Sequence, residues 1–319
     1  VSSPHDLSHN TSPSIDRGGL VCAIGAHTLW GLFPIYWHLI DIADSAELVS
    51  HRIVWSFVSF ALVLPFLIRR GTWGGGRAVM RELRNPRVWI GCAVAAVMIA
   101  TNWAAFIWAV NHGRVLDASL GYYINPLVNV LLGVMVLGER LDRWQWVAVG
   151  VAAVGVGIMA VGAGGLPWVS VLMACSFGVY GLVKKRTHLP PLLGLWIEVS
   201  LLFLPAAIYL GWRVSEGASG FQLGSLRVTL MLLFAGVITI TPLALFANAV
   251  RKLDLSLIGI LQYVGPTLQF LVGAVLYNEP LDRTRMCGFV FVWLALILFV
   301  AATHRPRSLG TLSPSSTRS

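Results

Sequence analysis

Apolar runs long enough to cross a bilayer recur along almost the whole of this chain. A membrane span needs about 20 predominantly apolar residues. Ten stretches meet that description: 18–40, 46–68, 88–110, 115–137, 144–161, 166–183, 191–212, 226–250, 255–277 and 286–302. The longest connectors, 69–87 and 213–225, are too short to hold a separate soluble domain. The pattern predicts an all-α integral membrane fold of ten transmembrane helices. Charge content agrees: only 12% of the 319 residues are charged, against about 25% in soluble domains. A soluble chain so poor in charge would expose apolar patches and aggregate.

The net charge of +9 would suggest a nucleic-acid partner in a soluble protein. Here the cations sit in short connectors, where they report orientation. With the N-terminus inside, the inner regions hold Arg17, the six arginines between 69 and 87, Arg140, Arg143, Lys184, Lys185, Arg186, Arg251, Lys252, Arg305, Arg307 and Arg318. The outer regions hold Arg114, Arg213, Arg227, Arg283 and Arg285. That asymmetry, seventeen against five, predicts both termini in the cytoplasm. The first apolar run exceeds the h-region of a leader and is expected to stay as a helix. Residues 1–17 and 304–319 are polar tails expected to be disordered. Cys22, Cys92, Cys175 and Cys287 lie in apolar stretches without CxxC spacing and read as packing residues.

The two halves of the chain resemble each other. Tyr123-Ile124-Asn125-Pro126 matches Tyr263-Val264-Gly265-Pro266 at an offset of 140, which also pairs Glu139 with Glu279 and Leu141-Asp142-Arg143 with Leu281-Asp282-Arg283. Slightly upstream an offset of 137 pairs Asn111 with Asn248, Arg114 with Arg251, Asp117 with Asp254 and Ser119 with Ser256. Two repeats follow, 18–161 and 162–303, each of five spans. An odd span number inserts the second copy upside down, and inverted repeats are a signature of secondary transporters. A duplicated scaffold without transport is the plainer alternative.

Ionisable groups deep in a span are costly and therefore functional candidates. Glu198 lies about 10 Å into the seventh span at 1.5 Å per residue. It is expected to bind an amine or carry a proton, against the alternative of a structural carboxylate. His51 and Arg52 open the second span: Arg52 is a candidate for an anionic group or a charge pair, or else snorkels. His27 is a candidate proton relay, with a satisfied core histidine as its alternative. Trp30, Asn102, Trp103, Tyr122, Asn125, Tyr180, Gln262 and Tyr263 are candidate substrate-binding groups, among other polar residues such as Thr239 and Asn248. Asn125-Pro126 and Gly265-Pro266 are expected to distort their helices. Ala148/Ala152 and Ala153/Gly157 have the small-residue spacing of close helix packing. Gly155-Val156-Gly157-Ile158-Met159-Ala160 fits a dinucleotide pattern only formally, since it follows no strand. No P-loop, HExxH or GxSxG is present, and no metal or cofactor is expected.

These segments carry a family resemblance. Trp30-Gly31-Leu32-Phe33-Pro34, His51-Arg52-Ile53-Val54-Trp55-Ser56, Thr101-Asn102-Trp103, Gly121-Tyr122-Tyr123-Ile124-Asn125-Pro126, Thr241-Pro242-Leu243 and Leu261-Gln262-Tyr263-Val264-Gly265-Pro266 resemble the RarD group of EamA-type permeases, in the drug/metabolite transporter superfamily. The resemblance implies a ten-helix inverted-repeat permease of the plasma membrane. Its central cavity would be lined mainly by spans 1, 3, 4, 6, 8 and 9, with a carboxylate in span 7 where Glu198 stands. Such proteins often bear a chloramphenicol-sensitivity label, which names no substrate. The function expected is a secondary transporter moving a small metabolite or drug by alternating access. A membrane-embedded enzyme lacks a catalytic cluster, and a receptor lacks an extramembrane domain. The expected partners are a small-molecule substrate and the lipid bilayer, with no nucleic acid. Proton coupling and homodimerisation stay open.

Overall fold

The computed structural model describes residues 16–40, 44–70, 75–112, 115–162, 168–219, 225–276 and 283–303. The remaining residues, including both tails, Arg114, Glu279, Leu281 and Asp282, lie outside the described set, as do the side chains of Asn111, Asp117 and Ser119. Among the described residues there are helices and no strand. In chain order the helices are α1 (Arg17–His38), α2 (Ser45–Arg69), α3 (Gly75–Leu83), α4 (Pro86–Asn111), α5 (Val115–Leu137), α6 (Arg143–Gly162), α7 (Trp168–Arg186), α8 (Pro191–Ser215), α9 (Leu226–Lys252), α10 (Leu255–Leu261), α11 (Val264–Leu271) and α12 (Arg283–Thr303).

Eight of these, α1, α2, α4, α5, α6, α8, α9 and α12, are long and apolar enough to cross a membrane. Two further predicted spans differ. The sixth corresponds to α7, whose last turn carries Lys184, Lys185 and Arg186. The ninth is interrupted: α10 stops at Leu261, α11 starts at Val264, and a π-helical turn Val272–Leu276 follows. Pro266 has no N–H to return to the carbonyl of Gln262, so that carbonyl accepts from Gly265 N instead, at 3.1 Å. Pro126, by contrast, sits inside the continuous α5, so the expected distortion occurs in the second motif only.

The connector 69–87 contains a helix that the hydropathy pattern does not announce. α3 buries Val79 against Cys92, Leu189, Leu193 and Ile197, while Arg77, Arg81 and Arg84 are exposed. Such a helix suits a membrane surface, with apolar side chains inward and arginines toward headgroups.

Large apolar side chains cover the outside of the bundle; Met135 is 79% exposed and Val161 81%. Lipid solvates such surface. α6 packs along α12 through Ala148, Ala152, Val156 and Met159 against Phe289, Val292, Ala295 and Phe299. Of the two small-residue pairs, Ala148/Ala152 faces this seam, whereas Ala153 and Gly157 face outward. α1, α2 and α9 pack together on the other side. There Gly236 lets α9 approach α2 so closely that a Cβ would overlap the Trp55 carbonyl group. α7 lies against both α4 and α5, and α10 lies against α5, with Gly259 accommodating the carbonyl of Pro126.

Candidate functional site

A cavity of about 420 Å³ opens among these helices. Helical periodicity delivers its lining. On α4, Ile99, Asn102, Trp103 and Phe106 follow the i, i+3, i+4, i+7 stripe and share one face. α1 supplies His27, Trp30, Phe33 and Pro34, and α5 supplies Tyr122 and Asn125. α2 contributes Leu48, Val49 and Arg52; α7 contributes Phe177; α9 contributes Leu243. The broken helix gives Gln262, Gly265, Pro266 and Gln269. The six spans expected from the family resemblance all reach the cavity, and α2 joins them through Arg52.

Arg52 is held on two sides. Its Nε donates to Thr239 Oγ1 at 3.1 Å, and its guanidinium lies 4.9 Å from the Trp103 ring centroid and 6.0 Å from that of Phe33. A guanidinium over an indole face is attracted by the ring quadrupole, more strongly when water is excluded. Tyr122 is close enough to Arg52 to interact electrostatically. Another part of the wall is aromatic: Trp30 meets Phe177 at 5.7 Å and Phe246 at 5.7 Å, and His27 meets Trp30 at 5.3 Å.

The amides are tied into the scaffold. Asn102 Nδ2 donates to the Met173 carbonyl at 2.8 Å, fixing α4 to α7. Gln269 Nε2 donates to the Trp30 carbonyl at 3.1 Å, and Asn129 Nδ2 donates to Gln262 Oε1. Two buried polar atoms in lining residues, His27 Nε2 and Asn125 Oδ1, have no hydrogen-bond partner among the described residues. Buried polar groups are nearly always paired, so these two atoms are available to a molecule in the cavity.

The structure therefore brings His27, Trp30, Arg52, Asn102, Trp103, Tyr122, Asn125 and Gln262 to one cavity. It places four other sequence candidates elsewhere. Tyr180 is fully buried behind the aromatic wall, 6.2 Å from Phe246. Tyr263 is fully buried, and its hydroxyl donates to the Tyr123 carbonyl at 3.2 Å. His51 is buried beside Glu47, with Nε2 3.5 Å from Oε1. Glu47 also accepts from Ser219 Oγ at 3.0 Å and meets Arg213 at 3.5 Å.

Glu198, the leading sequence candidate, faces protein and is not among the cavity-lining residues. Its Oε1 lies 2.6 Å from Lys184 Nζ, both side chains being buried, and Tyr180 donates to its Oε2 at 3.4 Å. Lys184 is missed by sequence reasoning because it stands in a basic run that counts toward topology. Phe106 and Phe177 are also missed; the spacing of Phe106 from Asn102 and Trp103 carries the signal that would have found it.

A second junction ties the chain halves together. Gly138, at φ +69°, ends α5 in a left-handed conformation that favours glycine. The next residue, Glu139, turns its carboxylate onto the start of α10. Oε1 accepts from Leu255 N at 2.6 Å, and Oε2 accepts from Ser256 N at 2.9 Å and Ser256 Oγ at 2.6 Å. The first amides of a helix have no internal partner and carry positive partial charge. Asp254, at the N-cap position, makes no side-chain cap bond, so Glu139 takes that role. Lys185 Nζ lies 3.5 Å from Glu139 and donates to the Leu253 carbonyl at 2.6 Å.

A multi-pass helical bundle with a cavity lined from both chain halves has the build of a membrane transporter, and the similarities agree. The EamA-like transporter family matches residues 17–161. An uncharacterized transporter of Vibrio cholerae serotype O1 is 43% identical over 283 residues, 89% of this chain and 92% of that one. Protein RarD of Streptomyces exfoliatus is 43% identical over 282 residues, 88% of each chain. A crystal structure at 17% identity shares the fold with a TM-score of 0.65, covering 90% of this chain and 99% of that chain. The chain belongs to the EamA-like transporter family, among its RarD-type permeases. It is a membrane transporter rather than an enzyme.

Proposed function

We propose that this chain is a secondary transporter that moves a small metabolite or drug across the cytoplasmic membrane by alternating access, with the cavity beside Arg52 as its substrate site. The observation that carries this reading is the cavity itself. Its lining comes from α1, α2, α4 and α5 in the first half and from α7, α9 and the broken helix in the second. A site shared by two halves is the one that opens to either side when they rock against each other. Ligand sites of this kind, at about 300–1,000 Å³, are mostly apolar with a few placed polar groups.

In this reading ten helices cross the membrane: the eight long apolar ones, α7, and the broken unit of α10 and α11. They form two inverted repeats, 18–161 and 162–303, with both termini cytoplasmic. The family match over 17–161 supports the first repeat as a unit. Trp30, Asn102, Trp103, Tyr122, Asn125 and Gln262 contact the substrate together with Arg52 and His27. Glu198, Tyr180 and Tyr263 support the wall from behind.

The test is a metabolite and drug screen for uptake and export in proteoliposomes, with and without an imposed proton gradient. A transported compound should lose most of its flux in Trp103→Ala while that variant stays folded. Flux unaffected by changes at Trp103, Arg52 and Asn125 would move the substrate path away from this cavity. Reporter fusions at His304 and in the 69–87 connector should report one side of the membrane; opposite sides would end the ten-span reading.

A further inference from the structure

We propose that α3 carries a binding site for a phospholipid of net negative charge. The headgroup phosphate sits among Arg77, Arg81 and Arg84, and the acyl chains lie against apolar side chains on the adjoining ends of α2 and α4. The inference needs only the membrane character of the fold and stands apart from the choice of solute.

Charge singles out this place. The connector 69–87 carries six arginines and one carboxylate, Glu82. Three of the six stand on α3 at the spacing i, i+4, i+7, which puts Arg77, Arg81 and Arg84 on one face. At about 100° per residue they share an arc of about 60°, with Val79 and Leu83 on the far side and Glu82 about 100° from the nearest arginine. Their side chains make no ion pair or hydrogen bond among the described residues, whereas Arg186, Arg213 and Arg251 each donate to a carbonyl of the fold.

Shape turns the charge into a site. With Met80 the three arginines border one open hollow of about 350 Å³. A guanidinium offers its N–H groups as a planar fork that suits phosphate oxygens. Basic pockets beside membrane helices take anionic headgroups, and each arginine near the surface adds to that preference. A phosphocholine headgroup brings an ammonium into the same positive field and is disfavoured.

The place in the fold favours a lipid over a free anion. α3 stands between α2 and α4, both long and apolar enough to cross a membrane. Val79 packs onto Cys92, Leu189, Leu193 and Ile197, and Trp89 Nε1 donates to the Leu83 carbonyl at 2.7 Å. These contacts hold the arginine face in position at the membrane interface, where tryptophan is a common anchor. Exposed apolar side chains flank it: Leu62 and Phe66 near the end of α2, and Trp89 and Ile90 in the first turns of α4. Arginines beside such surface match the headgroup and chains of a lipid, while a soluble phosphate compound uses only the first.

Native mass spectrometry of the full chain released from detergent reads the binding, with phosphatidylglycerol and phosphatidylcholine of identical acyl chains as probes. Phosphatidylglycerol should bind at least about tenfold tighter. Arg77→Gln, Arg81→Gln and Arg84→Gln combined should bring the two lipids to within about twofold of each other. Removing as many charges from the tail, by Arg305→Gln, Arg307→Gln and Arg318→Gln, should leave the preference in place. If the combined α3 variant does not fold, the single variants decide: each should lower the preference, and none doing so overturns the proposal. Equal affinity for the two lipids in the unmodified chain overturns it as well. So does a preference that survives the combined α3 variant, or one that falls as far in the tail variant, which marks a response to net charge alone. Inorganic phosphate in excess should leave phosphatidylglycerol bound; displacement would reveal a free-anion site and overturn the lipid assignment.

Discussion

The hydroxyl of Tyr263 donates to the backbone carbonyl of Tyr123 at 3.2 Å, and these two residues stand 140 positions apart, the offset at which the two halves of the sequence align. In a two-fold arrangement, matching residues touch only where the axis runs between them. Under the two-repeat arrangement proposed above, that axis passes between α5 and the broken helix. Gly259 against the Pro126 carbonyl and Asn129 against Gln262 belong to the same seam. Removing the hydroxyl in Tyr263→Phe should cost about 0.5–1.5 kcal/mol, as for a single buried hydrogen bond. A thermal unfolding shift in nanodiscs measures it, and an unchanged midpoint would show that the bond contributes nothing.

The Glu198–Lys184 pair gives a prediction with opposite signs. Removing one partner of a buried ion pair leaves the other charge uncompensated and typically costs about 3–5 kcal/mol, whereas replacing both by apolar groups is often neutral or better. Glu198→Gln should therefore destabilise the protein, and Lys184→Met added to it should restore most of the loss. If Glu198→Gln alone unfolds at the wild-type temperature but loses transport, the carboxylate acts in the transport cycle and not as the partner of Lys184.

Glu139 holds the start of α10 from across the chain. Glu139→Ala should leave the amides of Leu255 and Ser256 without their acceptors and cost about 1–3 kcal/mol. Glu139→Gln keeps one acceptor oxygen and should fall between. Hydrogen exchange at Leu255 and Ser256 should rise in the same order, and equal protection in all three proteins would refute the cap.

Close helix approach predicts a contrast between two glycines. Gly236→Ala introduces a Cβ against the Trp55 backbone, and such overpacking costs about 1–3 kcal/mol. A Cβ at Gly157 meets open space, so Gly157→Ala should be neutral or stabilise α6 by up to about 1 kcal/mol. Melting temperatures of the two variants moving in the same direction would contradict the packing described.

Much of the cavity lining, the candidate site, is legible in the sequence residue by residue. Trp30, Asn102, Trp103, Tyr122 and Asn125 stand out as polar or aromatic interruptions of apolar helices, and helical spacing puts Asn102, Trp103 and Phe106 on one face. Glu198 was equally visible, yet it contacts Lys184 rather than the cavity. Depth along a helix can be read from position, but the direction in which a side chain points depends on which neighbour packs there. Lys184 shows the same limit: as a loop cation it informs orientation, while its burial depends on α7 and α8 closing over it.

What the sequence by itself determined is the helical membrane character and the extent of the apolar segments, because each helix satisfies its own backbone and needs only its length and hydropathy to be lodged in lipid. The side-chain candidates on single helix faces belong to the same class of local information. Only the tertiary structure decided that Pro266 rather than Pro126 breaks its helix, that Arg52 is clamped between Thr239 and Trp103, and that Glu139 caps a helix begun 116 residues later. Each of these depends on contacts between segments remote in the chain. Within a bilayer no difference in hydrophobicity between lipid and helix dictates such contacts; close packing and hydrogen bonding do.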